Sequence, residues 1–308
     1  KGAFVEVGDP SFFPDDLTSL ISMKIDNDGN IYAAYIQDDY YFSVAKFDGE
    51  SWSDVGERKF SGEIGNIPNT PNVEPNVDFV LGSDGIPYVS FPASSSYSLN
   101  VMKFNKTKNK WENAGSQNIT DFKVSYTSIA VDSKKMPYVI FSGCTNDSCK
   151  GTNDDEQDIE RVSVMKFNNN NWEFVGAPMF FYRSGSFNNN ILFDSSNTPV
   201  IAFSNGNVDV FVMKFNGEEW VFAGDTDSLD IEKYGSLHGS FFIDSKDNLY
   251  FDAAGAYGVY NAGLMRFNGS GWQRIADLES YGCSFAIDKN DAIYSAYIKV
   301  YNESSDSI

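Results

Sequence analysis

All five tryptophans of the chain belong to copies of one phrase, and that phrase constrains the fold more than any other feature. Val212-Met213-Lys214-Phe215-Asn216-Gly217 leads to Trp220, and close variants at 44–49, 101–105, 164–168 and 264–269 lead to Trp52, Trp111, Trp172 and Trp272. The tryptophans fall 59, 61, 48 and 52 residues apart. A period of this size marks a repeat architecture, in which each unit is too small to bury its own apolar face and must pack against the next.

One repeat shows what the unit is. Residues 128–131 form a short apolar run that ends in the turn cluster 132–135, and 137–141 resume extended character. After a polar loop, 163–167 read as a third strand, 168–171 as a second turn, and 172–176 as a fourth strand closed by glycine. Four antiparallel strands of this kind make one propeller blade. The first hairpin recurs six times, at 25–32, 81–88, 131–138, 193–200, 243–250 and 287–294. Only five tryptophan strands accompany them. At the opposite end of the chain, Phe4-Val5-Glu6-Val7-Gly8 matches Trp172-Glu173-Phe174-Val175-Gly176. The expectation is an all-β, six-bladed β-propeller with four antiparallel strands per blade, a single domain over 1–308. A strand over about 3–8 would close the last blade and so remove an open sheet edge. The third strand of that blade has no clear source, because its phenylalanine would fall just past Ile308. Either 299–308 form an irregular strand or something outside the chain completes the blade, which offers a route to self-association.

The hairpin pattern Asp-x-x-Gly-x-x-Tyr, as in Asp26 to Tyr32, resembles the repeat of NHL-type and bacterial SBBP β-propellers, and more loosely the sialidase Asp-box. The resemblance covers nearly the whole chain at the level of repeat architecture and implies a propeller. It implies no particular activity, since such propellers host binding proteins and enzymes alike. The Asp-box tryptophan is absent here.

Charge narrows the partners. Against 43 acidic residues there are 23 basic ones, a net charge of −20 that repels nucleic acid and anionic membranes. Aromatic residues make up 16% of the chain, which suits strands and turns. No run of 18 apolar residues exists, so no transmembrane segment is expected, and the residues from Lys1 onward lack the charged-plus-apolar pattern of a leader. Cys144 and Cys149 enclose a loop short enough for a disulfide, with two free thiols as the equal alternative. Sequons at Asn105, Asn118, Asn146, Asn268 and Asn302 are candidate N-glycosylation sites. Together with the acidity they favour an extracellular or cell-surface protein.

The recurrent turn acids Asp26, Asp132, Asp194, Asp244 and Asp288 are best read as bonding their own turn amides, because lysine occupies the second ligand slot at Lys134 and Lys246. The recurrent bases Lys46, Lys103, Lys166, Lys214 and Arg266 read as structural. His238 is the only histidine, which leaves little room for histidine-dependent catalysis or a multi-histidine metal site. No cofactor is expected.

Loop lengths say more. Links within hairpins are short in every repeat, whereas those between strands two and three, and between blades, vary widely and emerge on one face, where binding usually resides. These loops are aromatic and acidic, a composition suited to sugar stacking and hydroxyl acceptance or to a tyrosine-rich protein interface. The candidate ligand-binding residues are Asp38, Asp39, Tyr40, Tyr41, Tyr97, Phe181, Tyr182, Tyr234, His238, Tyr257 and Tyr260. The expected function is non-catalytic recognition of a glycan or protein. The alternatives are a structural subunit of an extracellular assembly and a polysaccharide hydrolase or lyase.

Overall fold

The computed structural model describes residues 6–38, 40–65, 77–144, 161–182, 186–205, 209–224, 229–230, 236–254, 262–269, 271–278 and 283–297. The chain divides into two compact units, Lys1–Tyr182 and Arg183–Ile308.

The first unit opens with a 3-10 turn, Pro10–Phe12, capped by the Asp9 carboxylate. Three antiparallel sheets follow. The first orders β1 (Leu17–Ile25), β2 (Ile31–Gln37), β3 (Tyr41–Phe47) and β4 (Trp52–Asp54) side by side. The second does the same with β5 (Asp78–Leu81), β6 (Pro87–Pro92), β7 (Leu99–Asn105) and β8 (Lys110–Asn113). In the third, β9 (Lys123–Val131), β10 (Pro137–Cys144), β11 (Arg161–Asn168) and β12 (Asn171–Phe174) are joined by β13 (Phe181–Tyr182), which pairs with the start of β11.

The second unit repeats the plan. Its first sheet is β14 (Ser186–Phe193), β15 (Pro199–Asn205), β16 (Asp209–Phe215) and β17 (Trp220–Phe222), with β18 (Leu229–Asp230) paired to β16. The next is β19 (Ser236–Ile243), β20 (Leu249–Ala254), β21 (Ala262–Phe267) and β22 (Trp272–Leu278). β23 (Cys283–Ile287) and β24 (Ile293–Tyr297) form a two-stranded sheet.

This is an all-β, propeller-like fold of antiparallel four-stranded sheets. Its blades number five among the described residues, not the six expected. The sixth hairpin is present as β23–β24, but the sequence holds no copy of the third-strand phrase after Tyr294 to pair with it. Of the strand expected over about 3–8, residues 6–8 carry no strand pairing, and 3–5 lie outside the described residues.

The core lies between sheets. Every residue of β6 and β10 is buried, and so is all of β2 after Ile31, because a second strand is covered by neighbours on both faces. In the first unit, Ala34, Ile36, Phe42 and Val44 of one sheet pack with Phe79, Val89, Phe91 and Trp111 of the next. In the second, Val200, Val210 and Val212 pack with Leu249, Phe251 and Met265.

The repeated tryptophan joins one sheet to another. The indole N–H of Trp111 donates to Val55 O at 2.7 Å, that of Trp172 to Ala114 O at 2.6 Å, and that of Trp272 to Ala223 O at 3.3 Å. In these three the acceptor is the residue just past the fourth strand of the preceding sheet. Its own N–H returns to the third strand of that sheet, as from Val55 to Val44 O and from Ala114 to Val101 O. Trp52 donates in the same way to Val7 O at 2.8 Å, so Val7 plays the part of a fourth-strand exit. The glycine after each acceptor has positive φ, and at Gly115 (φ 88°) a Cβ would lie 2.9 Å from the Phe167 ring. Glycine alone meets both demands.

Candidate functional site

The hairpin turns and the variable loops form two groups of contacts. In the turns, each recurrent aspartate accepts from amides two and four residues on. Asp132 takes Lys134 N and Met136 N at 2.9 and 2.8 Å, and Asp244 takes Lys246 N and Asn248 N at 2.9 Å each. Burial raises the Asp26 and Asp244 carboxyls, but bonds from Asn30 and Asn248 outweigh it and hold both below the usual aspartate range. Asp288 is lowered chiefly by Ala292 N–H. The bases of the third strands are paired within the repeat: Lys166 lies 3.1 Å from Glu173, Lys214 3.5 Å from Asp194, and Lys46 and Arg266 stand over the rings of Tyr32 and Tyr250. Both groups therefore carry structure, as the spacing implied.

Two sequons belong to this same turn chemistry. Asn105 Oδ1 accepts from Thr107 N and Lys108 N, and Asn268 Oδ1 from Gly271 N, which is the job of Asp48 and Asn216 in sibling repeats. Asn118 is exposed at a positive φ and accepts from Ser96 Oγ at 3.1 Å. Asn146 and Asn302 lie outside the described residues, as does Cys149, while Cys144 is buried at the end of β10.

On the loop side of the first unit, a closed circuit of polar contacts gathers around Lys59. Its backbone N–H donates to Ser43 Oγ at 2.8 Å, Ser43 Oγ donates to Gln37 Oε1 at 2.6 Å, and Gln37 Nε2 donates to Asp16 Oδ1 at 2.9 Å. Asp16 Oδ2 then returns to Lys59 Nζ at 2.8 Å. Ser43 and Gln37 are buried, whereas Lys59 and Asp16 are half-exposed, so the circuit is rooted in the sheet and opens to solvent. Asp38, itself at positive φ, makes a second and very short contact with Lys59 Nζ. The hydrogen bonds it donates to Asp16, and then to Asp38, push the Lys59 ammonium up to about 12, and Lys59 in turn holds Asp16 below its ordinary range. Such paired charges reinforce one another through shared hydrogen bonds.

Aromatic groups border the circuit. Lys59 Nζ stands 5.6 Å from the Tyr41 ring centroid, and Tyr41 OH donates to Glu63 Oε1 at 3.2 Å, which raises the phenol. Tyr40 is 45% exposed. Glu63 also accepts from Ser94 Oγ at 3.5 Å, and bridges from Tyr41 to Glu63 and from Ile64 to Ala93 tie the loop to that of the next sheet. There Tyr97, at positive φ, lies beneath Lys123 at 6.0 Å. Gly65 is packed against this loop so closely that a Cβ would meet Ala93 O at 2.8 Å.

The expected loop-side cluster is thus assembled in part. Asp38 and Tyr41 meet around Lys59, Tyr40 stands exposed beside them in the chain, and Tyr97 belongs to the adjoining loop. Phe181 and Tyr182 lie on β13, opposite Val162 and Arg161. His238 lies in β19, where only the backbone is described. Asp39, Tyr234, Tyr257 and Tyr260 lie outside the described residues. Gln37, Ser43, Lys59 and Glu63 were not expected at the site. Comparing repeats column by column reveals the signal, since the amide of Lys59 on Ser43 recurs as Asn118 on Asn100 Oδ1 and Met179 on Ser163 Oγ.

No family model matches the chain, and neither does any curated protein. Solved structures share the fold. An ulvan lyase of a new polysaccharide lyase family, bound to -[GlcA(1-4)Rha3S]-, is 15% identical over 83% of this chain and 69% of its own, with a TM-score of 0.53. A mutant of the Aleuria aurantia lectin in complex with Fucalpha1-6GlcNAc is 14% identical over 83% of this chain and 77% of its own, at 0.51. A Hadza microbial sialidase is 9% identical over 85% of this chain and 58% of its own, at 0.53.

Proposed function

We propose that residues 1–308 act as one recognition domain that binds a glycan outside the cell through its variable loops. The observation that carries this reading is the Lys59 circuit, which fixes charged acceptors in place beside exposed tyrosine. Sugars need both elements, an apolar face to stack and acceptors for hydroxyls. The fold likeness to a lectin, a lyase and a sialidase is compatible with this and favours no one of them. A protein ligand on the same tyrosines is the competing occupant.

The test is a glycan array probed with the purified chain. Saturable signals that disappear in Tyr40→Ala and Tyr41→Ala are the expected result. Incubation of the same material with polysaccharides, followed for reducing ends and unsaturated products, distinguishes binding from hydrolase or lyase activity. Turnover would replace the recognition reading with an enzymatic one.

A further inference from the structure

The loops around Lys59 hold more negative charge than their bases neutralise. In the described parts of 9–16, 37–41 and 57–65, the acids are Asp9, Asp15, Asp16, Asp38, Glu57 and Glu63, against Arg58 and Lys59. Both bases are committed. Lys59 serves Asp16 and Asp38, while Arg58 donates from Nε to Asp54 Oδ1 at 2.8 Å and from Nη2 to Phe12 O at 2.9 Å. A carboxylate offers about four lone-pair positions, so Asp38 and Glu63 keep acceptor capacity beyond the partners they have. What the patch can add is hydrogen-bond acceptance; it has no uncommitted cation to give.

The tyrosines decide the charge of the ligand in the other direction. The cation position over the Tyr41 ring is taken by Lys59 itself, so a cationic ligand would compete with a resident ammonium. The sheet beneath is also specialised. Tyr35 lies opposite Ser43, where the sibling sheets place phenylalanine at Phe91, Phe141 and Phe203. Its hydroxyl is fully buried, and burial pushes the phenol up to about 12.

Building on the recognition reading, we infer that the Asp38–Lys59–Glu63 cluster is a subsite for an uncharged sugar residue. Its hydroxyls donate to Asp38 and Glu63 while its ring lies on Tyr40, and glycans bearing uronate, sulfate or sialate are excluded by repulsion. Binding of a neutral sugar here is insensitive to salt, whereas screening would favour an anionic one.

The experiment sets neutral and anionic oligosaccharides side by side on an array and takes the hits to calorimetric titration at low and high salt. Neutral hits, salt-independent affinity and a loss of about tenfold in D38N and in E63Q are expected, each variant removing one charged acceptor. E63Q lies on an exposed side chain and keeps the test open should D38N disturb its loop. Hits confined to anionic glycans overturn this inference and leave recognition standing. Neutral hits indifferent to both variants but lost in Tyr97→Ala overturn the placement of the subsite. No glycan hit of either kind overturns the recognition reading itself.

Discussion

Single side chains in this fold act by occupying a place that the repeat prepares. Trp111 is buried and spends its one donor on a carbonyl of the preceding sheet, so Trp111→Phe leaves Val55 O without that partner. The cost expected from one lost buried hydrogen bond is about 1–2 kcal/mol, measured as a fall in denaturation midpoint. Trp52→Phe, at a more exposed site, should cost less. Gly115→Ala combines a left-handed backbone with a clash against Phe167 and is expected to lose at least about 1–2 kcal/mol on the same measure. These positions were legible in sequence, because tryptophan and glycine recur with the period. The Lys59 circuit was not. Its members lie at 16, 37, 43 and 59, in three separate segments, and no local pattern states that a turn with Lys59 at positive φ will aim its amide at Ser43. Asp38 and Tyr41 were legible only as loop composition.

Elements are held in sequence by their turns as well as by their cores. In the second unit, Ser195 donates through N and Oγ to the two carboxylate oxygens of Asp247 at 2.8 and 2.6 Å, and Ser245 does the same to Asp291 at 2.9 and 2.6 Å. The second of these pairs places β23–β24 against the sheet before it, just as a full blade would be placed. Inner strands add to the linkage, with Ser240 Oγ accepting from Phe285 N at 3.1 Å and Asp78 Oδ2 from Ile129 N at 2.9 Å. An edge strand's otherwise unpaired amide is thereby satisfied by the neighbouring sheet. A double-mutant cycle of Ser245→Ala and Asp291→Ala is expected to give a coupling of about 0.5–1 kcal/mol. The hairpin count foresaw β23–β24, and it overshot in expecting four strands there. A hairpin motif reports only the first two strands of a blade; the remaining two depend on segments that the motif does not contain.

At the scale of the whole molecule, acidity and turn chemistry oppose one another. The lowered carboxyls of Asp26, Asp244 and Asp288 contribute stability above their unfolded pKa values, and that contribution is lost as pH falls through the lower folded values. The net charge of −20 acts the other way, since protonating exposed acids relieves self-repulsion. The melting temperature is therefore expected to hold or rise slightly on acidification towards about pH 5, then to drop below about pH 4. Asp26→Asn, Asp244→Asn and Asp288→Asn together should flatten the acid limb in a calorimetric pH series. The indole-to-carbonyl contact has a consequence of another kind, because for Trp52, Trp111, Trp172 and Trp272 it runs backwards along the chain. During synthesis the sheets that carry Trp111, Trp172 and Trp272 emerge after their anchors are already in place and can dock at once. Trimming from the carboxyl end leaves each of these remaining indoles its acceptor, whereas trimming from the amino end strips the berth from the sheet that follows.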